Sequence, residues 1–338
     1  MTGDVTLSLD DAHALVVAAF RNSGVSEDNA RSTASALAAA EADGQKGHGL
    51  TRTPSYAAQA ASGKVNGAAV PTSVRAGAAA LRIDAGHGFA YPAIDLAIDA
   101  LTPLASEAGI AAAAISRSHH FGQAGAHVER LADRGFIGLI FGNSPKAIAF
   151  WGGAEPMMGT NPIAFAAPTP NGPALVIDLA VSVAARGKIL AAQKEGGDIP
   201  ENWALDKDGK PTTDPAAALA GSMAPMAGAK GAALAMMVEI LSAALTGSAF
   251  GFEATSFFTG DGAPPNVGQT VIAIDAERLS GGGFLDRMGD LTAAIAATDG
   301  ARPPGQTRLA NRARAAQEGL TISADLHAEI LTLSNRRP

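Results

Sequence analysis

The chain has 338 residues, 47% hydrophobic and 17% charged, with a net charge of −7. That acidic balance removes any electrostatic case for nucleic acid or an anionic membrane surface as a partner. The chain has no cysteine, which excludes disulfides, thiolate nucleophiles and cysteine-ligated zinc or iron–sulfur centres.

The opening stretch MTGDVTLSLDDAHALV has neither a basic segment nor a long apolar run, so a signal peptide is not expected and the protein is expected in the cytoplasm. LSLDDAHALVVAAFRNSG starts with Ser/Asp capping residues, carries apolar residues at helical spacing and ends in Gly24; SEDNARSTASALAAAEADG repeats the pattern from Ser26 to Gly44. Residues 5 to about 62 are therefore expected to be mostly helical. SVRAGAAALRIDAGHG then reads as strands, AYPAIDLAIDALTPLASEAG as a helix, IAAAAIS as a buried strand, GAHVERLADRG as a helix and FIGLIFGNS as another strand. PIAFAAP and ALVIDLAV add strands between Gly/Pro/Asn turns, and SVAARGKILAAQKEG returns to helix.

PENWALDKDGKPTTDP is a loop or hairpin turning at DKDG. GAKGAALAMMVEILSAALTG has the pattern of the longest buried helix; Glu239 interrupts its apolar run, which is too short to span a bilayer. TVIAIDA is a strand, and the last ~60 residues are helical with a polar break at DGARPPGQTRLANRARA. This is α/β alternation framed by helices. It predicts a helical lobe from residues 1–66 plus 290–338, a small α/β lobe over 67–138 and a mixed-sheet lobe over 139–289.

Neither G-x-G-x-x-G after a strand nor a P-loop is present, so a Rossmann domain is not supported. In EADGQKGHGLTRTPSY, His48 precedes Arg52 by four residues where a helix stops. At that spacing on a helical turn both side chains reach one spot. A guanidinium grips a carboxylate with two prongs, and an imidazole donates a proton near neutral pH. Together they supply the minimal machinery for reducing a 2-oxo acid or its imine. SRSHHFGQAG places His119 and His120 at a strand-to-helix junction, where ligands sit in α/β structures; only one of the two can face a pocket. GTNPIAFAAP offers Thr160 at an Asn-Pro turn, which is either structural or a substrate contact. DLAVSVAARGK gathers Asp178, Ser182, Arg186 and Lys188 after an apolar strand.

Taken in order over nearly the whole chain, these stretches resemble the type-2 malate/L-lactate dehydrogenases, also called the sulfolactate dehydrogenase-like family. The resemblance implies a non-Rossmann α/β fold, an NAD- or NADP-dependent enzyme acting on a small carboxylate substrate, and a homodimer. It implies His48 as proton donor and acceptor, Arg52 as the carboxylate clamp and Thr160 as a substrate contact. The cofactor would be lined by His120, Phe121, Gly122, Gln123 and Ala124, by Asp178, Leu179 and Ala180, and by Arg186 and Gly187, with the mixed-sheet lobe over 139–289 as the cofactor-binding one. No metal is implied.

Two departures matter. Many relatives carry serine where this chain has Gly47, and the piperideine-2-carboxylate reductases carry aspartate where it has Lys188. A Ser-His-Asp relay is thus impossible at these positions, which favours interconversion of a 2-oxo acid and a 2-hydroxy acid of the malate, lactate or sulfolactate kind over reduction of a cyclic ketimine. A non-catalytic binding protein of the same fold is the third reading. Arg117 serves either a second anionic group or a surface salt bridge. Arg308, Arg312 and Arg314 form either a solvated helix face or a site for a 2′-phosphate.

Overall fold

The computed structural model describes residues 3–335. Its helical lobe joins both ends of the chain. Helices Leu9–Arg21, Glu27–Ala42 and Thr53–Ala61 pack with Gln306–Glu318 and Ala324–Ser334 around Val16, Phe20, Leu37, Tyr56 and Ile330. Each such fully buried large side chain contributes about 1.5–3 kcal/mol. Ser8 and Ser323 cap their helices through side-chain oxygens, as the sequence signals require. The expectation of helix from residue 5 fails at its first turn: Val5–Leu7 is a strand, antiparallel to Leu320–Ile322. A β-branched Val-Thr pair favours extended backbone once a partner strand is available.

A seven-stranded mixed sheet forms the middle of the molecule. Its order is Thr72–Gly77, Ala80–Asp84, Ile110–Ser118, Val267–Asp275, Phe136–Gly142, Ile163–Ala167 and Leu175–Leu179. Val267–Asp275 occupies the centre, antiparallel to both neighbours, with Val271 opposite Ala113 on one side and Ile140 on the other. Helix Ala90–Ala108 lies against strands Ile110–Ser118 and Val267–Asp275, burying Ile94, Ile98 and Leu101 over the small side chains of Ala111 and Ala113. Strand Phe136–Gly142 spans the boundary expected at 138/139, and helix Phe284–Ala297 spans the one expected at 289/290.

A smaller four-stranded sheet carries Ala204–Leu205, Ser222–Met223, Ile148–Ala149 and Pro156–Met158 in that order. Its core contains Ile148, Met158, Val181, Ile189 and Met223. The DKDG turn closes a hairpin there: the Asp206 carboxylate accepts from the N–H groups of Asp208 and Lys210, both at 2.9 Å.

The longest helix is Ala90–Ala108, with 19 residues, and not the run after GAKG. That run is helix Ala229–Glu239 followed by a wider π turn, Ile240–Ala244. Its orientation inverts the expectation from hydrophobicity: Glu239 is buried, while Met236, Met237, Ile240 and Leu245 are exposed. The reason is hydrogen bonding. The Glu239 carboxylate accepts from the backbone N–H groups of Gly159 and Gly251 (both 3.1 Å) and from the side-chain amides of Asn161 (3.0 Å) and Asn143 (3.2 Å). Four donors satisfy the buried charge that would otherwise be prohibitive. No helix among the described residues is long and apolar enough to cross a membrane.

Candidate active site

Helix Glu27–Ala42 ends at Asp43, with Gly44 at φ +80°, a left-handed turn that glycine adopts without strain. Two short 3-10 turns follow, Lys46–His48 and Leu50–Arg52. The proximity of His48 and Arg52 therefore does not come from an α-helical i, i+4 pair; the two turns hinge at Gly49. There the chain crosses Glu41 so closely that a Cβ would sit 2.2 Å from Glu41 Oε2. Glu41 Oε2 in turn accepts the N–H of Leu50 at 2.9 Å, which fixes the second turn. Burial pushes the Glu41 carboxyl up from its ordinary value.

Arg52 is aimed by two contacts. Its Nε donates to the carbonyl of Gly47 at 2.6 Å, and its guanidinium carbon lies 4.6 Å from the ring centroid of Phe258. Its Nη1 is buried with no hydrogen-bond partner. His48 Nδ1 is in the same condition. Burial, then the nearby Arg52 charge, lowers the His48 pKa to about 4, so its imidazole is neutral at pH 7.

The His48 ring stacks on His120, centroids 5.2 Å apart. His120 Nδ1 is 2.5 Å from the hydroxyl of Tyr56, and the Phe257 ring packs against it at a tilt, centroids 5.1 Å apart. His119 packs on the same two aromatic rings as His120, Tyr56 at 5.2 Å and Phe257 at 5.3 Å; the pair follows strand Ile110–Ser118 rather than lying in it, so strand alternation does not turn one of them away. His119 is 1% exposed, its Nε2 meets Gln59 Oε1 at 2.9 Å, and burial lowers its pKa to about 3. His48, Arg52 and His120 thus form one cluster.

The rest of the HFGQA segment runs beside them. Phe121 is buried against Gly142, and Gly122 passes over the Tyr91 hydroxyl. Gln123 turns away from the cluster, its amide donating to Asp43 at 2.8 Å, and Ala124 begins helix Ala124–Ala132. Asp178 caps that helix by accepting the Gly125 N–H at 2.7 Å, and burial raises its pKa. Leu179 is paired opposite Ile163 at the sheet edge, and Ala180 follows it, exposed. An open groove of about 620 Å³ adjoins Asp178, between Gly44 and the start of helix Gln306–Glu318.

Thr160 sits between the two sheets, its N–H donating to Ser144 Oγ at 3.1 Å and its carbonyl accepting from Val181 at 2.8 Å. Asn161, beside it, is held at φ +46° by Glu239 and the Ala235 carbonyl. Arg186 and Gly187 open helix Arg186–Glu195 and are exposed. Among the described residues, no hydrogen bond or ion pair ties Thr160, Arg186 or Gly187 to the histidine–arginine cluster.

Two basic residues resolve differently from expectation. Arg308 and Arg312 are neither a solvated face nor free for a phosphate. Arg308 forms a two-pronged pair with Glu129 (2.7 and 2.8 Å) and reaches Asp43 at 3.2 Å. Arg312 bridges Asp43 (2.7 and 2.9 Å) and Glu129 (2.8 Å). Arg314 is exposed and bonds Asn311. Arg117 is spent on an exposed pair with Asp84, which leaves the salt-bridge reading of that residue.

Sequence reasoning missed Tyr56, Phe257 and Phe258 as parts of the site. For the two phenylalanines a signal existed: SFFTG puts adjacent aromatics in a turn-rich segment of a chain with only 5% aromatics. That segment docks on helix Thr53–Ala61 through Gln59 Nε2 to the Phe257 carbonyl (2.9 Å), and just past the helix Lys64 Nζ donates to the Ser256 carbonyl (2.7 Å).

The fold is thus a mixed-sheet α/β architecture whose cluster holds an imidazole and a guanidinium, each with a buried nitrogen that has no protein partner. Residues 7–331 match the malate/L-lactate dehydrogenase family, and the chain belongs to it. A (2R)-3-sulfolactate dehydrogenase (NADP(+)) of Chromohalobacter salexigens is 51% identical over 306 residues, covering 90% of this chain and 91% of the relative. A Delta(1)-pyrroline-2-carboxylate reductase of Ancylobacter novellus is 40% identical, covering 99% of each. The crystal structure of delta1-piperideine-2-carboxylate reductase from Pseudomonas syringae pvar. tomato superposes with a TM-score of 0.92 at 38% identity, over 97% of this chain and 99% of that one.

Proposed function

We propose that this protein interconverts a 2-oxo acid and a 2-hydroxy acid of the sulfolactate, malate or lactate kind, with His48 handling the proton and Arg52 holding the carboxylate. It is a nicotinamide-dependent oxidoreductase of its family, working with NAD or NADP. The carrying observation is that His48 Nδ1 and Arg52 Nη1, in one buried corner, both lack a protein partner. Buried polar groups in folded proteins are otherwise paired, so a ligand is the natural partner of this corner.

A nicotinamide held in the site would supply or accept hydride at the substrate's 2-carbon. His120, Phe121, Gly122, Gln123, Ala124, Asp178, Leu179, Ala180, Arg186 and Gly187 are the residues we assign to holding it, and Thr160 to touching the substrate. Arg52 would place a carboxylate against its free Nη1. The 2-oxygen then exchanges a proton with the His48 imidazole. With its pKa near 4, resting His48 is ready as a base for a 2-hydroxyl. In the reductive direction it must first be protonated, and a substrate anion that offsets the Arg52 charge favours that.

The second reading, cyclic ketimine reduction, is supported by the pyrroline- and piperideine-2-carboxylate reductases among the relatives. Against it stand the 51% identity to a sulfolactate dehydrogenase and the missing relay. Gly47 has open space where a serine side chain would be, and the Lys188 ammonium, 5.6 Å from the Trp203 ring, replaces a carboxylate. The same relative's name favours NADP over NAD. The exposed apolar side chains of Met236, Met237, Ile240 and Leu245 favour a homodimer, and the absence of cysteine from the chain suits the cytoplasm.

The test is a comparison of purified protein and His48→Ala against the 2-oxo acids of sulfolactate, malate and lactate and against both cyclic imines, each with NADH and NADPH. The reading requires the oxo acids to exceed the imines in kcat/KM, and His48→Ala to lose ~10²–10⁴-fold in turnover. A wide preference for an imine, or an unimpaired variant, would overturn it.

A further inference from the structure

Three buried polar groups line up behind the cleft. The hydroxyls of Tyr91 and Tyr56 are 3.4 Å apart, and the Tyr56 hydroxyl is 2.5 Å from His120 Nδ1. Tyr56 is fully buried and Tyr91 is 2% exposed, so neither hydroxyl can turn to water for a partner. Among the described residues the Tyr91 hydroxyl has no other hydrogen bond, and His120 Nε2 has none at all. The His120 ring stacks on His48.

A neutral imidazole carries one N–H, and each phenol carries one O–H. Two arrangements of these protons are possible. If the His120 proton sat on Nδ1, it would donate to the Tyr56 oxygen, Tyr56 would donate to Tyr91, and the Tyr91 proton would be left buried without an acceptor. If it sits on Nε2, Tyr91 donates to Tyr56, Tyr56 donates to Nδ1, and every buried donor is satisfied. A stranded buried donor is the costly outcome, so the second arrangement prevails.

We propose that Tyr56, backed by Tyr91, is a positioning residue that locks His120 in the tautomer with its proton on Nε2, giving the site a permanent neutral N–H donor beside His48. The donor rests on the reading of the site given above, and it selects for an acceptor oxygen, on the substrate or on the carboxamide of the nicotinamide. The electrostatics agree: burial, then the charge of Arg52, holds the His120 pKa well below its ordinary value, so the ring does not become a cation at neutral pH. The tyrosine's own ionisation is opposed by its burial, which keeps it a donor.

Nitrogen NMR of ¹⁵N-histidine-labelled protein, with His120 identified by its loss in His120→Gln, reads the tautomer without any reaction. The proposal expects an acceptor-type Nδ1 and a protonated Nε2, and Tyr56→Phe should convert this to a mixture of tautomers. The reverse assignment in the native protein overturns the proposal whatever the enzyme's substrate proves to be, whereas failure of oxo-acid turnover alone strikes the functional reading and leaves this one standing. In kinetics, Tyr56→Phe should cost roughly tenfold, the worth of one ordinary hydrogen bond. A loss seen in the dissociation constant of reduced nicotinamide places the acceptor on the cofactor, and one confined to KM for the oxo acid places it on the substrate.

His120→Gln keeps an N–H near the position of Nε2 without needing Tyr56. In that background Tyr56→Phe should add less than twofold; an undiminished tenfold would make Tyr56 a packing residue only and refute the proposal. Should Tyr56→Phe lose its fold through the stranded Tyr91 hydroxyl, the pair Tyr56→Phe with Tyr91→Phe removes that hydroxyl and is read in the same way.

Discussion

Replacing Arg52 by lysine keeps the charge and discards the fork. The guanidinium is aimed by its Nε bond to the Gly47 carbonyl and by the Phe258 ring beneath it, and it offers a free Nη1. A lysine ammonium reproduces none of that geometry. One charge-assisted hydrogen bond is worth about 1.5–3 kcal/mol, and the cation–ring contact about 0.5–1 kcal/mol. The sum of about 2–4 kcal/mol corresponds to roughly a 30- to 1,000-fold loss in kcat/KM, at about 1.36 kcal/mol per factor of ten. The loss should be similar for every carboxylate substrate, because the clamp reads the group they share. Steady-state kinetics with two oxo acids, beside a fluorescence titration of reduced nicotinamide, separates the contributions. An effect confined to cofactor affinity, or a loss under threefold, would remove Arg52 from the carboxylate site.

Arg308→Met leaves Glu129 and Asp43 buried with only Arg312 between them, and urea unfolding should show a loss of about 3–5 kcal/mol; a change below about 1 kcal/mol would contradict the network as drawn. His119 and His127, with pKa values lowered by burial to about 3 and about 4, stay neutral in the fold while the unfolded chain takes up protons below pH 6.5. Their stabilising contribution is full above that pH and is lost as the pH falls from 6.5 toward 4 and 3, at up to about 2.5 kcal/mol per pH unit near pH 5 for the two together. His127→Gln retains the donation to the Phe121 carbonyl seen at 2.8 Å and should remove about half of that slope in unfolding curves taken at pH 7 and pH 5. Gly142→Ala would put a Cβ 2.2 Å from the Phe121 ring, so the HFGQA segment must shift; about 1–3 kcal/mol of stability and weaker binding of reduced nicotinamide are expected, and an unchanged cofactor titration would count against the role of that segment.

Local features of the chain were legible because their physics is local. Capping serines and left-handed glycines marked the helices at 9–21 and 27–42, whereas alternation did not sort the adjacent histidines, which follow strand Ile110–Ser118 and both pack on Tyr56 and Phe257. His48 and Arg52 were found for the chemistry of their side chains, although the stated reason, one helical turn between them, gave way to two 3-10 turns. What stayed hidden depends on long-range pairing. No short window announces that Val267–Asp275 inserts between strands laid down far earlier in sequence. Charge composition cannot say that Arg308 and Arg312 are consumed by Asp43 and Glu129, since both acids lie more than 170 residues away. Hydrophobicity alone inverted the Glu239 helix, because a carboxylate with four donors outcompetes methionine for the interior.

The clasp between Val5–Leu7 and Leu320–Ile322 joins positions 315 residues apart, as the contact of Thr6 with Thr321 measures. On a ribosome adding about 5–20 residues per second, the early helices wait on the order of 15–60 s for that partner to be made. Through that interval Val16, Phe20 and Leu37 lack the C-terminal helices that later cover them, and they are open to chaperones or to sticking. The turn that carries His48 and Arg52 belongs to the same early segment. A nascent chain stalled before residue 320 would carry every proposed site residue without strand Leu320–Ile322 and helix Ala324–Ser334, which complete the lobe behind the turn.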